Sequence, residues 1–306
     1  MHNLKKLVIV GGTSSLGSRI AADTFGLPGW KVFTTSSKAG SNHHLHLDLE
    51  FDQDFSSLDF VDQDTTVLIF SAVSDPATVF GNTEKAERIN VIGTSRLIRF
   101  LFQRNCRVIF ASSVEVFDGV NPPQDETRTV NPLNAYGSMK AKVEALIQEI
   151  GQPNRFSIVR TPWIAHLNIQ SRCVIKNTYE AMLGSEVPCF ASDYITGVVS
   201  ADDLSVAYLR LFTSELLPPI VHFASDGFFS RAQLAMTIKG ISALHSRMRF
   251  SETIFSDLNL TEPRAKDTRL AKGIAESKYR LRFEPIEETI AKKVRLLDGY
   301  FQTKLF

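Results

Sequence analysis

The chain has 306 residues, with 34 basic against 33 acidic side chains, a net charge of +1 and a 43% hydrophobic share, enough for one large α/β domain with a smaller lobe. Balanced charge supplies no field for a polyanion, so nucleic acid is not expected as a partner. The apolar runs are far shorter than the roughly 20 residues that cross a bilayer or the stretch a signal peptide needs, and Cys106, Cys173 and Cys189 form no C-x-x-C pair, so a cytoplasmic protein with reduced thiols and no membrane partner is expected.

Leu7-Val8-Ile9-Val10 is an unbroken apolar run, the pattern of a buried parallel strand. Gly11-Gly12-Thr13-Ser14-Ser15-Leu16-Gly17 follows, and Ser18 opens a helical stretch that reaches Phe25. Strand, glycine turn and helix start together make a diphosphate cradle, where backbone N–H groups and the helix dipole face the anion. Further strands are read at 32–35, 45–47, 66–70, 107–111 and 156–159.

After the second strand comes Thr34-Thr35-Ser36-Ser37-Lys38, which offers no carboxylate to a ribose 2′-hydroxyl. Ser36, Ser37 and Lys38 suit a 2′-phosphate, so NADP(H) is expected over NAD(H), with an ordinary polar turn as the plainer reading. His43, His44 and His46 have no carboxylate or cysteine at ligand spacing, and no metal site is expected.

Helices are read at 85–103, with Ile89, Leu97, Ile98, Leu101 and Phe102 on one face, and at 136–150, with Val143, Leu146, Ile147 and Ile150. Alternating strands and helices without hairpin signals predict a doubly wound parallel sheet of Rossmann type, whose ligands bind beyond the carboxyl ends of the strands. Past Thr161 the pattern loosens at Pro162, Pro188, Pro218 and Pro219, and substrate specificity is placed there. Ile220-Val221-His222-Phe223-Ala224 still reads as a strand returning to the sheet. The expected division is a dinucleotide-binding domain over 1–165, with 195–226 returning to it, and a substrate lobe over 166–194 and 227–306. Asp202-Asp203 predicts a helix start, because carboxylates cap free N–H groups there.

Tyr136 and Lys140 are four residues apart on the second of these helices and share its face. A phenol near its ordinary pKa of about 10 is a poor acid or base at neutral pH, and a nearby cation would favour the phenolate. Ser113, after the 107–111 strand, would complete the set by hydrogen-bonding a carbonyl or hydroxyl. A Y-x-x-x-K spacing alone is equally an exposed aromatic and cation pair, and the glycine cradle decides for a hydride-transfer site.

The chain resembles the extended short-chain dehydrogenase/reductases, and within them the dTDP-4-dehydrorhamnose reductase group. The carriers are the glycine turn, Ile89-Asn90-Val91-Ile92-Gly93-Thr94, Ser112-Ser113-Val114-Glu115-Val116-Phe117-Asp118-Gly119, Pro132-Leu133-Asn134-Ala135-Tyr136-Gly137-Ser138-Met139-Lys140, Val159-Arg160-Thr161-Pro162-Trp163 and Glu262-Pro263-Arg264-Ala265-Lys266-Asp267. The resemblance implies Ser113, Tyr136 and Lys140 as the catalytic triad and Gly11, Ser14 and Gly17 at the three cofactor-loop positions, with Thr13, Ser15 and Leu16 between them. It also implies Asp48 and Leu49 beside the adenine, and Ser71, Ala72 and Val73 beside the ribose and nicotinamide. Ser113, Glu115, Trp163 and Arg264 would meet the substrate, Arg264 together with Lys266 through a diphosphate, while Trp163 is equally a core residue, Glu115 a polar rim residue and Lys266 more simply part of a solvated loop. Asn90 either lies near the active site or holds a neighbouring backbone group.

Two departures matter. Ser14 replaces the family's middle glycine, where a side chain either crowds the pyrophosphate or gives a phosphate a hydroxyl hydrogen bond. Val114 replaces the acidic or hydroxyl residue that the related 4,6-dehydratases carry before their glutamate, here Glu115, and valine cannot deliver a proton. The implied activity is NAD(P)H-dependent reduction of the 4-keto group of a nucleotide-linked deoxyhexulose by a homodimer paired through the two long helices. A nucleotide-sugar epimerase or dehydratase is the alternative. So is a binding protein on the same scaffold, since the regulatory β subunit of methionine adenosyltransferase resembles this group too.

Overall fold

A computed structural model describes residues 4–38, 40 and 43–304. In chain order the first half holds β1 (Lys5–Val10), α1 (Ser15–Thr24), β2 (Trp30–Ser36), β3 (Leu45–His46), β4 (Thr65–Ile69), α2 (Pro76–Gly81), α3 (Thr83–Glu87), α4 (Thr94–Gln103), β5 (Arg107–Ala111), α5 (Ala135–Ile150) and β6 (Phe156–Arg160). The second half adds β7 (Trp163–Ala165), α6 (Val174–Leu183), β8 (Cys189–Ala191), β9 (Ile195–Thr196), β10 (Val198–Ser200), α7 (Ala201–Thr213), β11 (Ile220–His222), β12 (Phe229–Ser230), α8 (Arg231–Ile241), β13 (Ser251–Thr253), α9 (Gly273–Tyr279) and α10 (Ile286–Lys304).

Seven strands form the expected parallel sheet in the order β11-β6-β5-β4-β1-β2-β3. The order reverses between β1 and β4, whose registers pair Lys6 with Thr65 and Val10 with Ile69. That switch point is where an open α/β sheet leaves a crevice at its carboxyl edge. Alternation builds both faces: Val8, Val10, Val67, Ile69, Val108 and Phe110 are buried against Leu97, Ile98 and Leu101 of α4 and Val143 and Ile147 of α5. On residues of the same unit, Trp30 and Phe70 pack edge-to-face on Phe212 and Tyr208 of α7, with ring centroids 5.0 and 4.9 Å apart. The apolar stripes of α4 and α5 are thus buried in the core, so a dimer through these helices would have to use other faces.

The 85–103 stretch is not one helix. Between α3 and α4 the chain makes a π-helical turn over Arg88–Gly93. Two contacts accompany it: the Thr94 hydroxyl donates to the Ile89 carbonyl at 2.9 Å, and a Cβ on Gly93 would stand 1.8 Å from the Leu49 carbonyl oxygen. The α7 start also differs from expectation, since the Ser200 hydroxyl accepts the Asp203 N–H at 3.0 Å while the Asp203 carboxylate accepts the Glu284 N–H at 2.8 Å.

The chain divides into two compact units, Met1–Val116 with Thr129–Arg160 and Ser205–Val221, and Phe117–Arg128 with Thr161–Leu204 and His222–Phe306. This division differs from the 165 and 195–226 boundaries, because β7 pairs in parallel with β10, apart from the large sheet. The second unit has its own core, where Ile175, Tyr179 and Met182 of α6 meet Leu234 and Ile238 of α8 and Ile290, Val294 and Leu297 of α10. Among the described residues no helix is long and apolar enough to cross a membrane.

Candidate active site

The glycine turn lies at the switch point. Gly11 has φ +82°, and a Cβ there would stand 2.8 Å from the Ser71 backbone nitrogen, so the loops after β1 and β4 touch through a position only glycine fills. Gly17 is similarly closed, with 2.4 Å from a Cβ to the Gly11 carbonyl oxygen. Ser14 has a local structural role. It is the N-cap of α1, and its Oγ accepts the Gly17 N–H at 3.0 Å. Thr13 and Ser15 are exposed, whereas Leu16 is buried and contributes backbone alone to the cradle. A cradle whose glycines have no room for a Cβ, opening on a helix N-terminus, fits a dinucleotide diphosphate.

Around it, Ser36 is buried with its hydroxyl accepting the Lys38 N–H at 3.1 Å, leaving Ser37 and Lys38 exposed. Asp48 organises its own loop, its carboxylate accepting the Glu50 N–H at 2.9 Å, and Leu49 is buried with its carbonyl against Gly93. Ser71, Ala72 and Val73 are half-buried. Asn90 proves to be the backbone clamp: its amide accepts the Val73 N–H and donates to the Val73 carbonyl, both at 2.8 Å. His44 Nδ1 lies 2.6 Å from the Thr34 hydroxyl.

The candidate reacting groups, Ser113, Tyr136 and Lys140, lie just past the carboxyl end of β5 and at the start of α5. Asn134 is the N-cap of α5, its Oδ1 accepting the Gly137 N–H at 2.8 Å while its Nδ2 donates to Glu115 Oε2 at 2.6 Å. Gly137 lets the helix press on the turn that follows Ser113, since a Cβ there would stand 2.0 Å from the Glu115 carbonyl oxygen. Ser113 Oγ accepts the Glu115 N–H at 3.2 Å, which aims the hydroxyl at the head of a short 3-10 turn over Val114–Val116. Lys140 is buried, donates to the Ala111 carbonyl at 2.7 Å, and stands 5.7 Å from the Tyr136 ring centroid and 4.6 Å from that of Phe110.

The electrostatics correct one expectation. Burial, and then the Glu115 carboxylate, push the Tyr136 phenol above its ordinary value, so the cation does not bring it down. Burial lowers the Lys140 ammonium to about 8, against the opposing pull of the Glu144 carboxylate. At neutral pH the site therefore holds a protonated phenol beside a largely protonated amine, an arrangement chemically able to donate a proton.

Trp163 and Arg264 belong to the second unit, and both are half-buried there. The Trp163 ring stands 5.9 Å from that of Tyr194, and the Arg231 guanidinium lies over it at 5.4 Å and over Phe190 at 5.3 Å. Burial lowers Arg231 to about 10, and the positive charge of Arg264 works in the same direction, against the Tyr194 phenol. Two arginines that repel each other beside aromatic rings suit a ligand with two negative charges. Lys266 instead pairs with Asp193 at 2.6 Å. Arg231 escaped the sequence reading because a lone arginine at a helix start carries no spacing signal.

A doubly wound parallel sheet with a glycine turn at its switch point is the scaffold of the extended short-chain dehydrogenase/reductases, an NAD(P)-dependent class. The chain belongs to the RmlD substrate binding domain family, which it matches over residues 5–296. Its fold is similar to that of a dTDP-4-dehydrorhamnose reductase from Clostridium acetobutylicum, with TM-score 0.80, 19% identity and coverage of 95% of this chain and 99% of that one. It is also similar to the dTDP-4-dehydrorhamnose reductase of Bacillus anthracis in complex with NADP, with TM-score 0.76, 19% identity and coverage of 94% and 96%. A segment of 74 residues is 35% identical to methionine adenosyltransferase 2 subunit beta of Bos taurus and covers 24% of this chain and 22% of that protein.

Proposed function

We propose that the protein reduces the 4-keto group of a nucleotide-linked deoxyhexulose, using NADPH in preference to NADH. The observation that carries this reading is the protonated Tyr136 phenol on the same face of α5 as Lys140, with α5 docked on the turn after Ser113. The nicotinamide supplies the hydride when bound. Tyr136 gives its proton to the carbonyl oxygen as that oxygen becomes an alkoxide. Ser113 holds the same oxygen by a hydrogen bond, and Lys140 binds the ribose and offers positive charge beneath the phenol.

Several features support the finer assignments. The exposed Ser37 and Lys38 at the end of β2, with no carboxylate over 34–38, favour a 2′-phosphate. Arg231 and Arg264 favour the diphosphate of a nucleotide sugar, and Trp163 offers a ring face to the sugar or base. The reductases similar in fold act on dTDP-4-dehydrorhamnose, and one was solved with NADP. Dehydration is disfavoured because Val114 is buried and apolar and Glu115 is held by Asn134. A screen of NADPH oxidation against nucleotide-linked 4-keto sugars tests the proposal. Turnover of at least one supports it; NADPH binding with no turnover of any favours a binding protein instead.

A further inference from the structure

Tyr136, Lys140 and Glu144 follow one another at four-residue intervals along α5 and so share one face of the helix. The third member is not solvated. Glu144 is fully buried, and its carboxylate receives Arg160 in a forked contact, Nη2 to Oε2 at 2.6 Å and Nε to both oxygens at 3.1 and 3.2 Å. Arg160, on β6, is itself 2% exposed. The Ser112 hydroxyl donates to Glu144 Oε1, while Lys140 donates to the carbonyl of the preceding residue, Ala111. The two side chains of α5 therefore grip adjacent residues of the strand end that leads into Ser113.

We infer that Glu144 and Arg160 are positioning residues for the reaction: the buried pair fixes a carboxylate one helical turn from Lys140 and anchors the strand end that presents Ser113. The inference rests on the reductase reading for its functional meaning, though not for its physical content. Stability alone does not account for the pair, because replacing a buried ion pair by apolar groups of similar volume is often neutral or stabilising.

The surroundings of Lys140 leave Glu144 in this role. From α5 it is flanked by Tyr136 and Glu144, from β5 by the Phe110 ring and the Ala111 carbonyl, and from β6 by Arg160 acting through Glu144. Glu115, in the turn after Ser113, acts on Tyr136. Burial draws the Lys140 proton off, and the Glu144 carboxylate opposes it. Arg160 gives the Glu144 carboxylate a bidentate guanidinium partner.

The test measures the Lys140 titration in the full chain, free of any substrate, by NMR of lysine labelled at the ε-carbon, with the resonance assigned from Lys140→Arg. Glu144→Gln leaves Arg160 buried without its counter-charge, so Glu144→Gln with Arg160→Met is made beside it to remove both charges together. In whichever variant folds, the Lys140 midpoint is expected about one pH unit below wild type, and the alkaline loss of NADPH binding, read by fluorescence, shifts by the same amount, roughly tenfold in affinity above the new midpoint. Glu144→Asp, which keeps the charge, is expected to recover part of the shift. A folded double variant with an unmoved Lys140 midpoint and an unmoved NADPH profile overturns the inference. If the midpoint falls as expected but wild type reduces no keto sugar, the reductase reading fails and the coupling stands.

Discussion

The Lys140 ammonium donates to the Ala111 carbonyl at 2.7 Å, inside a pocket whose burial lowers it from the lysine value of 10.5 to about 8. The amine that would hold the cofactor ribose is thus within reach of ordinary alkaline pH. Below about 8 it is an ammonium; above, it is a neutral amine. NADPH affinity is expected to be steady from pH 6 to 7.5 and to weaken as the pH rises through about 8, measured by fluorescence titration. The stability term has the opposite sign. The folded chain binds fewer protons here than the unfolded chain between about 8 and 10.5, so this group's contribution to stability rises with pH across that window. An NADPH affinity that is flat to pH 9.5 contradicts the assignment.

Gly137→Ala should destabilise the protein although alanine is the better helix former. The added Cβ would meet the Glu115 carbonyl oxygen at 2.0 Å, a backbone atom that cannot turn aside. Relief requires α5 to back away from the turn after Ser113, at a cost of about 1–3 kcal/mol. Thermal unfolding should show a lower midpoint, and turnover should fall with it because Asn134 then loses its reach to Glu115. An unchanged melting temperature would show that the contact is looser than described.

Arg231→Gln should raise KM for a nucleotide-diphosphate sugar by about tenfold or more, as expected when one charge-assisted contact is lost, and leave NADPH affinity unaltered. The remaining dependence of KM on salt should be shallower than in wild type. Equal KM in the two proteins would remove Arg231 from the diphosphate site.

Lys38→Glu should reverse the cofactor preference. An added carboxylate repels a 2′-phosphate and offers an acceptor to a 2′-hydroxyl. Calorimetric titration should find wild type binding NADP(H) more tightly and the variant binding NAD(H) more tightly. A wild-type preference for NAD(H) by tenfold, about 1.4 kcal/mol, overturns the NADP(H) assignment.

Much of this was legible in the chain itself. The β1 run and its glycine turn were readable because a buried parallel strand is apolar on both faces and the turn has no room for side chains. The Tyr136 and Lys140 pair was readable because it lies within one helix turn. Contacts between distant segments were not. Nothing in Ile89-Asn90-Val91-Ile92-Gly93-Thr94 announces a π turn, nor that Gly93 lies against the carbonyl of the remote Leu49. The phenol's direction was misjudged because the sequence supplies the neighbouring cation but not the burial or the Glu115 carboxylate. Arg231 and the Glu144–Arg160 pair depend on folding that brings remote segments together.

The most direct test is deuteride transfer from NADPH labelled at the nicotinamide C4 to a nucleotide-linked 4-keto sugar, followed by mass spectrometry and NMR of the product. Wild type should place one deuterium on sugar C4. Tyr136→Phe should bind NADPH as wild type does yet transfer about 10²- to 10⁴-fold more slowly, with Ser113→Ala losing about 10²- to 10³-fold at the strong end. Transfer at the wild-type rate by Tyr136→Phe, or no deuterium in any sugar of the panel with wild type, would contradict the account.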